Sequence, residues 1–303
     1  MNATSGVPLQ ASFASVVTTD VKVDLLAFPA SLPQVEPRVR IQAEVGRYRL
    51  RLAETAEDRE AACRLRFRVF NIELGEGLES SYETGIDTDQ FDLCCEHLLV
   101  EDKQSRRVVG TYRMQSGLTA LRNRGYYSEQ EFSFAPYEAL RPEILELGRA
   151  SIDREHRTPE VLTLLWRGIA QYATDQGLRY LIGCSSLTSK DPAEGWQMYN
   201  LLENFRCAPE YATETTPAFA CTREHQDQVA QPPVHEEGSS LATEVQNPVK
   251  VPKLLKTYLT IGARIAAPPA WDREFGTIDF LTLLDLRSMS SSARHRFLTP
   301  LAH

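Results

Sequence analysis

The sequence predicts a mixed α/β fold in which helices cover both faces of one sheet. Segments with period-two alternation, such as YRLRLAE from Tyr48, are typical of half-buried strands. Longer segments that carry capping residues and apolar positions three or four apart are typical of helices. The order differs from a regular βαβ alternation, because the hairpin HLLVED-KQSR-RVVGTYRMQ lies in the middle.

The first half of the predicted domain begins with the strand at Tyr48. Thr55 then caps a helix through AEDREAACRLRFRVF, with Asp58 at a spacing similar to a capping box. A long acidic loop from Asn71 to Cys94 separates this helix from the central hairpin. Residues 118–142 have mixed periodicity, which predicts a short helical insertion.

The second half centres on ILELGRASID, a strand in which Gly148 predicts a β-bulge. Thr158 and Pro159 open the clearest helix, which stops at Gly177. The strand LRYLIGCSS and a helix from Pro192 follow. The amphipathic stretch VPKLLKTYLTIGARI and the apolar strand GTIDFLTLLDL complete the order.

Composition divides the chain into an arm, a domain and an insertion. Residues 1–46 have little periodicity and are broken by prolines, so we expect a flexible N-terminal arm. Residues 47–303 are expected to form a single domain. Within it, residues 208–248 hold five prolines and seven acids against one arginine, which predicts a flexible insertion.

Composition also excludes several classes of protein. The 303 residues contain no run of roughly 18 uncharged apolar residues, so no transmembrane helix is expected. The net charge of −8 argues against a nucleic-acid binder. Six cysteines without a CxxC pair, behind an N-terminus unlike a secretory signal, predict a cytoplasmic protein with reduced thiols.

Two motifs that suggest chemistry are expected to be structural instead. The CCEH segment at 94–97 lacks the second ligand pair of a zinc site. Cys184, Ser185 and Ser186 end a strand but lack the G-x-S-x-G turn of a nucleophile elbow. We therefore expect no metal and no bound cofactor.

Seven positions resemble the conserved set of acyl-homoserine-lactone synthases, which belong to the GNAT acyltransferase superfamily. They are Arg66 and Phe70 in RLRFRVF, Asp89 and Asp92 in DTDQFD, Arg113 in GTYRM, and Glu146 and Arg149 in LELGR. Over roughly residues 47–286, the chain more closely resembles the ornithine-acyl-carrier-protein N-acyltransferase family, once called hemolysin-like. LRFRVFNIELGEGL, FDLCCEHLLV, ELGRASI, YLIGCSSLTS and PPAWDREFGTIDF carry this second resemblance.

The resemblance implies a GNAT-like, mostly antiparallel central sheet with a bulged middle strand. It also implies transfer of a fatty acyl group, often 3-hydroxylated, from acyl carrier protein to the α-amine of an amino acid. With ornithine as acceptor, the product is a lyso-ornithine lipid. Three alternatives stay open: another acceptor such as glycine, a lactone synthase that uses S-adenosylmethionine, and a non-catalytic scaffold that binds acyl carrier protein.

Aminolysis of a thioester needs a neutral amine, a place for the oxyanion and a proton for the leaving thiolate. Glu146 is the candidate base; alternatively it only pairs with Arg149. In a regular strand these two side chains point to opposite faces, and a bulge at Gly148 lets both serve one cleft. Tyr199 is the candidate acid, through the resemblance; alternatively it packs with Trp196 at helical spacing.

The resemblance further implies one ion-pair network that holds the acidic loop over the acyl cleft, formed by Arg66, Asp89, Asp92, Arg113 and Arg149. The alternative is scattered surface pairs. A Gly-rich pyrophosphate turn is missing from DREHRTPEV, which suits a carrier protein with its single phosphodiester. An acidic carrier protein would dock on basic residues. The candidates are Arg106, Arg107, Arg122, Arg124, Arg154 and Arg157, with His156 beside them as a surface residue.

The charge pattern and the amphipathic stretch each leave two interpretations. Residues 71–102 carry ten acids and no Lys or Arg, and residues 103–124 carry six bases and no acid. These segments either create opposite fields at two ends of a cleft or are two solvated loops. The stretch from Lys250 to Ile265 either rests on a membrane surface or, as is commoner, packs on the sheet.

Overall fold

The computed structural model describes residues 40–222 and 249–298. Most of the predicted arm, residues 1–39, lies outside this range, but the first strand begins within the arm at Gln42. The strands are β1 (Gln42–Val45), β2 (Tyr48–Leu52), β3 (Glu96–Asp102), β4 (Arg107–Ser116), β5 (Ile144–Ile152), β6 (Tyr180–Leu187), β7 (Arg264–Ile265), β8 (Ala270–Asp272) and β9 (Thr277–Asp285).

Helices connect these strands. The α-helices are α1 (Ala56–Phe67), α2 (Ser81–Thr84), α3 (Gly117–Arg122), α4 (Pro159–Asp175), α5 (Pro192–Leu201), α6 (Lys253–Ile261) and α7 (Ser291–Phe297). A π-helix (Arg68–Leu74) continues α1, so the predicted acidic loop begins with a helical turn. Short 3₁₀ helices cover Tyr127–Gln130, Ala135–Glu143, Arg154–His156, Glu203–Phe205 and Pro209–Tyr211.

All strands belong to one sheet with the order β1-β2-β3-β4-β5-β6-β9-β7, and β8 also pairs with β9. Every pairing is antiparallel except that between β5 and β6. One core cluster joins α4 and α7 to one face of the sheet through side chains such as Trp166 and Phe297. On the opposite face, α1 contacts β4 and β5, so the predicted mixed fold with helices on both faces is confirmed.

Strand β5 separates from β6 halfway along its length. The two strands pair only where Ile144–Glu146 lies opposite Tyr180–Ile182. On its other edge, β5 pairs with β4 through a shifted register, because Thr111 faces Ser151 whereas Arg113 faces Gly148. The predicted bulge is therefore present, but the residue with the left-handed conformation is Arg149, at φ 51°, rather than Gly148.

The described part of the predicted insertion, residues 208–222, is docked on the domain. The Thr213 amide donates to the Ala266 carbonyl at 2.8 Å, and the Thr216 amide donates to the Glu131 carbonyl at 2.7 Å. Cys221 is buried in a core cluster with residues of α5, α6 and β9. These contacts place residues 208–222 on the sheet domain, and residues 223–248 lie outside the described residues.

Helix α6 packs on the sheet through one face. Leu255, Leu259 and Ile261 are buried, and Tyr258 lies against Trp166 at 5.6 Å between ring centroids. This packing corresponds to the commoner of the two interpretations of the amphipathic stretch. Within the described ranges, no helix has the length and apolar character required to cross a bilayer.

Candidate active site

A cavity of about 530 Å³ opens where β5 and β6 separate. Its wall includes residues from both halves of the separated strands, from β9, and from α4 and α6. Because side chains alternate along each strand, a gap between two strands exposes residues from both faces of the sheet to one space. The cavity therefore connects the two faces at the predicted position of the chemistry.

The face covered by α4 and α6 gives the cavity an apolar end. Leu181, Leu284 and Trp166 line this end and also belong to the core cluster beneath α4. Leu162 and Tyr258 complete the wall from the two helices. An apolar channel of this kind can shield an alkyl chain from water.

The opposite face presents Glu146, which is 5% exposed and is the last residue of β5 that pairs with β6. Its carboxylate accepts hydrogen bonds from the backbone amides of Tyr127 at 2.9 Å and Ser128 at 2.8 Å, and from the Ser128 hydroxyl at 2.7 Å. Burial raises the pKa of Glu146, whereas these hydrogen bonds oppose the rise. No ion pair joins Glu146 to Arg149 among the described residues, although both line the cavity.

The predicted charged residues form one connected network under the acidic segment. Arg66 is fully buried and forms a bidentate pair with Asp92, at 2.6 and 2.9 Å. Asp89 accepts from Arg113 at 2.7 Å and from Arg149 at 2.9 Å. Sequence reasoning missed one member, Asp87, which accepts from the Arg66 Nε at 2.7 Å.

This network fixes the bulge as well as the loop. The Arg149 guanidinium pairs with Asp89 and lies 3.9 Å from the ring centroid of Phe275. Phe70, another predicted residue, contacts Phe275 edge to face at 6.4 Å and also lines the cavity. A left-handed conformation is unfavourable for an arginine, so these contacts stabilise a backbone shape that the residue alone would not adopt.

The cavity also has an acidic wall that the sequence analysis did not identify. Asp279 lines the cavity, is 4% exposed, and has one carboxylate oxygen without a hydrogen-bond partner in the described chain. Ligand atoms of Glu131, Cys184 and Asp279 lie within 4.8 Å of one another. Burial, together with the nearby acids Asp272 and Glu76, raises the pKa of Asp279 to about 7. The signal in the sequence was an aspartate inside the apolar run TIDFLTLL.

Both motifs expected to be structural occupy defined positions. His97 of the CCEH segment is buried beneath the network beside Asp92, and burial lowers its pKa to about 4. Cys184 instead lines the cavity, with its Sγ 3.4 Å from the Ser128 hydroxyl. Burial raises the pKa of the Cys184 thiol, so it remains protonated and is a poor nucleophile.

Tyr199 lies apart from the cavity. Its ring packs edge to face on Trp196 at 5.7 Å, and the Arg206 guanidinium lies 4.1 Å from its centroid. It belongs to the margin of a core cluster and does not line the cavity wall. A proton donor must reach the reacting atoms, and the Tyr199 side chain packs on Trp196 outside the cavity.

The six predicted docking arginines do not form one patch. Arg106 and Arg107 lie at the start of β4, a strand about 30 Å long. Arg122 ends α3, which follows the other end of β4, and Arg124 comes two residues later. Arg107 approaches Asp153 at 3.7 Å, which brings it close to the Arg154–His156 turn. Arg157 lines the cavity and pairs with Glu73.

Several known proteins are similar to this chain. The family described as "Acetyltransferase (GNAT) domain" matches residues 65–167. Among solved structures, FeeM, an N-acyl amino acid synthase from uncultured soil microbes, aligns at 12% identity and a TM-score of 0.46, covering 84% of this chain and 97% of that chain. The acyl-homoserine-lactone synthase LasI aligns at 10% identity and a TM-score of 0.45, covering 84% and 98%.

The curated relatives are more similar. An L-ornithine N(alpha)-acyltransferase from Agrobacterium fabrum is 31% identical over 259 residues, which cover 81% of this chain and 83% of the relative. A second, from Brucella abortus, is 31% identical over 264 residues, covering 83% and 89%. This similarity confirms the family that the sequence motifs indicate. The chain therefore belongs to the L-ornithine N(alpha)-acyltransferase family.

Proposed function

We propose that this protein transfers a fatty acyl group from the thioester of acyl carrier protein to the α-amine of L-ornithine. The observation that carries the proposal is the cavity between β5 and β6, which is apolar on one face of the sheet and carboxylate-lined on the other. A lipid thioester and a charged amino acid need these two environments, and they must meet at one point. We take L-ornithine as the acceptor because the relatives described above are named L-ornithine N(alpha)-acyltransferases.

The reaction assigns Glu146 the role of base. The α-amine reaches the active site mostly as an ammonium, and Glu146 removes a proton so that the nitrogen lone pair can attack the thioester carbon. As the new C–N bond forms, the nitrogen loses a second proton, and the thiolate takes this proton when the C–S bond breaks. Glu146 releases the first proton to solvent, so that one amide, one thiol and one proton leave for each ammonium and thioester consumed. Fixed hydrogen bonds from Tyr127 and Ser128 leave the Glu146 carboxylate in one position, which supports a direct transfer.

The break in the ladder offers a place for the oxyanion. Beyond Glu146, β5 has no pairing with β6, so amides that face the gap are not used by that strand. Preorganised amides at such a position stabilise the negative charge that develops on the carbonyl oxygen.

The donor is expected to enter beside the start of α4. Arg157 lines the cavity there, and Arg68, Arg107 and Arg154 are exposed in the same region. A carrier protein presents one phosphodiester and an acidic surface, which suits scattered arginines better than a Gly-rich turn. All six cysteines are free thiols, in keeping with a cytoplasmic reaction.

The test incubates the purified full chain with 3-hydroxyacyl carrier protein and a panel of amino acids, followed by mass spectrometry. The proposal predicts an Nα-acylornithine and a slower reaction when acyl-coenzyme A replaces the carrier. A product with glycine but not ornithine, a lactone formed with S-adenosylmethionine, or no product with any acceptor would each overturn it.

A further inference from the structure

We propose that the acidic wall of the cavity binds the side-chain ammonium of a diamino-acid acceptor and thereby directs acylation to its α-amine. Asp272 and Asp279 of this wall line the cavity, and Glu131 adjoins Asp279. This inference rests on the proposed function, which it extends by naming the residues that distinguish the acceptor. None of the three residues belongs to the network that holds Arg149.

Two buried carboxyl groups beside the cavity lack hydrogen-bond donors for some of their oxygens. Neither oxygen of Glu131, which is 1% exposed, has a nitrogen or oxygen donor among residues 40–222 and 249–298. Asp279 receives only hydroxyl side chains, those of Ser186 and Thr277, and its other oxygen is unpartnered. Buried carboxylates are otherwise paired or protonated, so a cationic ligand is the group that this wall lacks.

The acidic wall is accessible from the cavity. Asp279 and Asp272 line the same cavity as Glu146. The two aspartates share one face of the sheet, because Asp272 lies opposite Thr277 and Thr277 is two residues from Asp279 in β9. A cationic ligand that enters the cavity can therefore reach the Asp279 oxygen that has no partner among the described residues.

The acidic wall lies close to the proposed base, Glu146. Glu131 and Cys184 adjoin Asp279, the Cys184 Sγ lies 3.4 Å from the Ser128 hydroxyl, and that hydroxyl donates to Glu146 at 2.7 Å. The acidic wall is thus connected to the proposed base by a short chain of contacts. An amino acid with a short side chain can reach both ends.

Selectivity follows from the chemistry of the two amines. Carboxylates around the side-chain nitrogen stabilise its ammonium form and raise its pKa. An ammonium has no lone pair and does not attack a thioester. The α-amine beside Glu146 loses its proton, so only this nitrogen forms the amide.

The test compares L-ornithine with L-norvaline, which has the same carbon skeleton without the terminal amine. Isothermal titration calorimetry on the full chain measures binding without any turnover. We expect ornithine to bind at least about 10-fold more tightly, because a charge-assisted hydrogen bond is lost with norvaline. In Asp279→Asn, ornithine binding should fall to the level of norvaline, whereas the exposed control Glu203→Gln should leave the ratio unchanged.

A second readout follows the site of acylation. Asp279→Asn and Glu131→Gln should form a measurable fraction of Nδ-acylornithine, which the wild type does not. Equal binding of the two amino acids, or an unchanged ratio in Asp279→Asn, overturns the inference. So does a divalent metal at Glu131, Cys184 and Asp279 whose chelation abolishes the preference. If ornithine binds selectively but no amide forms, the proposed function fails while this inference stands.

Discussion

At the scale of single residues, Asp89 is the junction of the network because it accepts from both Arg113 and Arg149. Burial alone would raise the pKa of Asp89, but the two guanidinium groups hold it well below its usual range. A carboxyl with a lowered pKa in the folded state contributes stability at neutral pH, and this contribution is lost as the pH falls below about 4.

Replacing Asp89 by Asn leaves two buried arginines without their shared charge. We expect the free energy of unfolding at pH 7 to fall by about 3 kcal/mol in urea titrations. The matched control is Glu60→Gln, which breaks a surface pair with Arg64 and should cost less than about 1 kcal/mol. Equal losses in the two variants would mean that the network is a set of independent surface pairs.

The contribution of Asp279 to the free energy of unfolding depends on pH in the opposite direction. Its pKa is raised to about 7 by burial, whereas the unfolded chain ionises it near pH 4, so folding is progressively disfavoured as the pH rises between these values. We predict that Asp279→Asn is more stable than the wild type at pH 8, by on the order of 4 kcal/mol, and that its gain at pH 5 is less than half as large. Urea titrations of both proteins at pH 5 and at pH 8 check this prediction. A variant that is less stable at both values would contradict it.

Sequence reasoning succeeded with residues that lie in recognisable motifs and failed with those that converge only in the fold. Arg66, Arg113 and Glu146 were predicted because their neighbours resemble a family pattern. Glu131 and Asp279 are far apart in sequence, and only the placement of β9 beside β6 brings them together. An aspartate in an apolar strand was the one available signal.

At the scale of elements, the opening between β5 and β6 depends on close backbone contact at its edge. A Cβ on Gly183 would lie 2.1 Å from the Leu147 carbonyl oxygen, so β6 approaches β5 there in a way that no side chain permits. Gly148 differs, because its added Cβ would meet nothing within 4 Å and its backbone conformation is ordinary.

These two glycines make a matched pair of substitutions. Gly183→Ala should force the strands apart, lower the free energy of unfolding by about 1–3 kcal/mol and reduce turnover at least 10-fold. The free energy of unfolding of Gly148→Ala should lie within about 0.5 kcal/mol of the wild-type value. If both variants lose the same stability, the geometry of the opening is not fixed by the contact at Gly183.

The sequence located the bulge but not its conformation. An isolated glycine in a strand marked the place, and the strand does carry an extra residue there. The left-handed residue is Arg149, because Asp89 and Phe275 hold its side chain on the cavity side. Contacts with residues distant in the sequence decided this detail, which local patterns do not contain.

At the scale of the whole molecule, the domain extends further than composition indicated. Residues 208–222 are polar and proline-containing, yet they add hydrogen bonds to Ala266 and Glu131 and bury Cys221. Composition predicts whether a segment can form its own core, and not whether it docks on another.

The arginines at opposite ends of β4 test where the carrier protein docks. Arg107→Glu and Arg154→Glu should each raise the KM for acyl carrier protein by about 10-fold at low salt with kcat unchanged, because they reverse the charge near the entrance. Arg122→Glu and Arg124→Glu are the controls and should change KM by less than 2-fold. Larger effects in the controls would place the docking surface at the other end of the strand.

The central claim is that Glu146, at the point where two strands separate, takes a proton from the attacking amine. The measurement is the rate of amide formation by Glu146→Gln between pH 7 and pH 10, with the melting temperature as a check of folding. We predict a loss of about 10²-fold at pH 7 that shrinks as the free amine becomes abundant at high pH. A folded variant at full rate at pH 7, or a loss that is the same at every pH, would contradict the account.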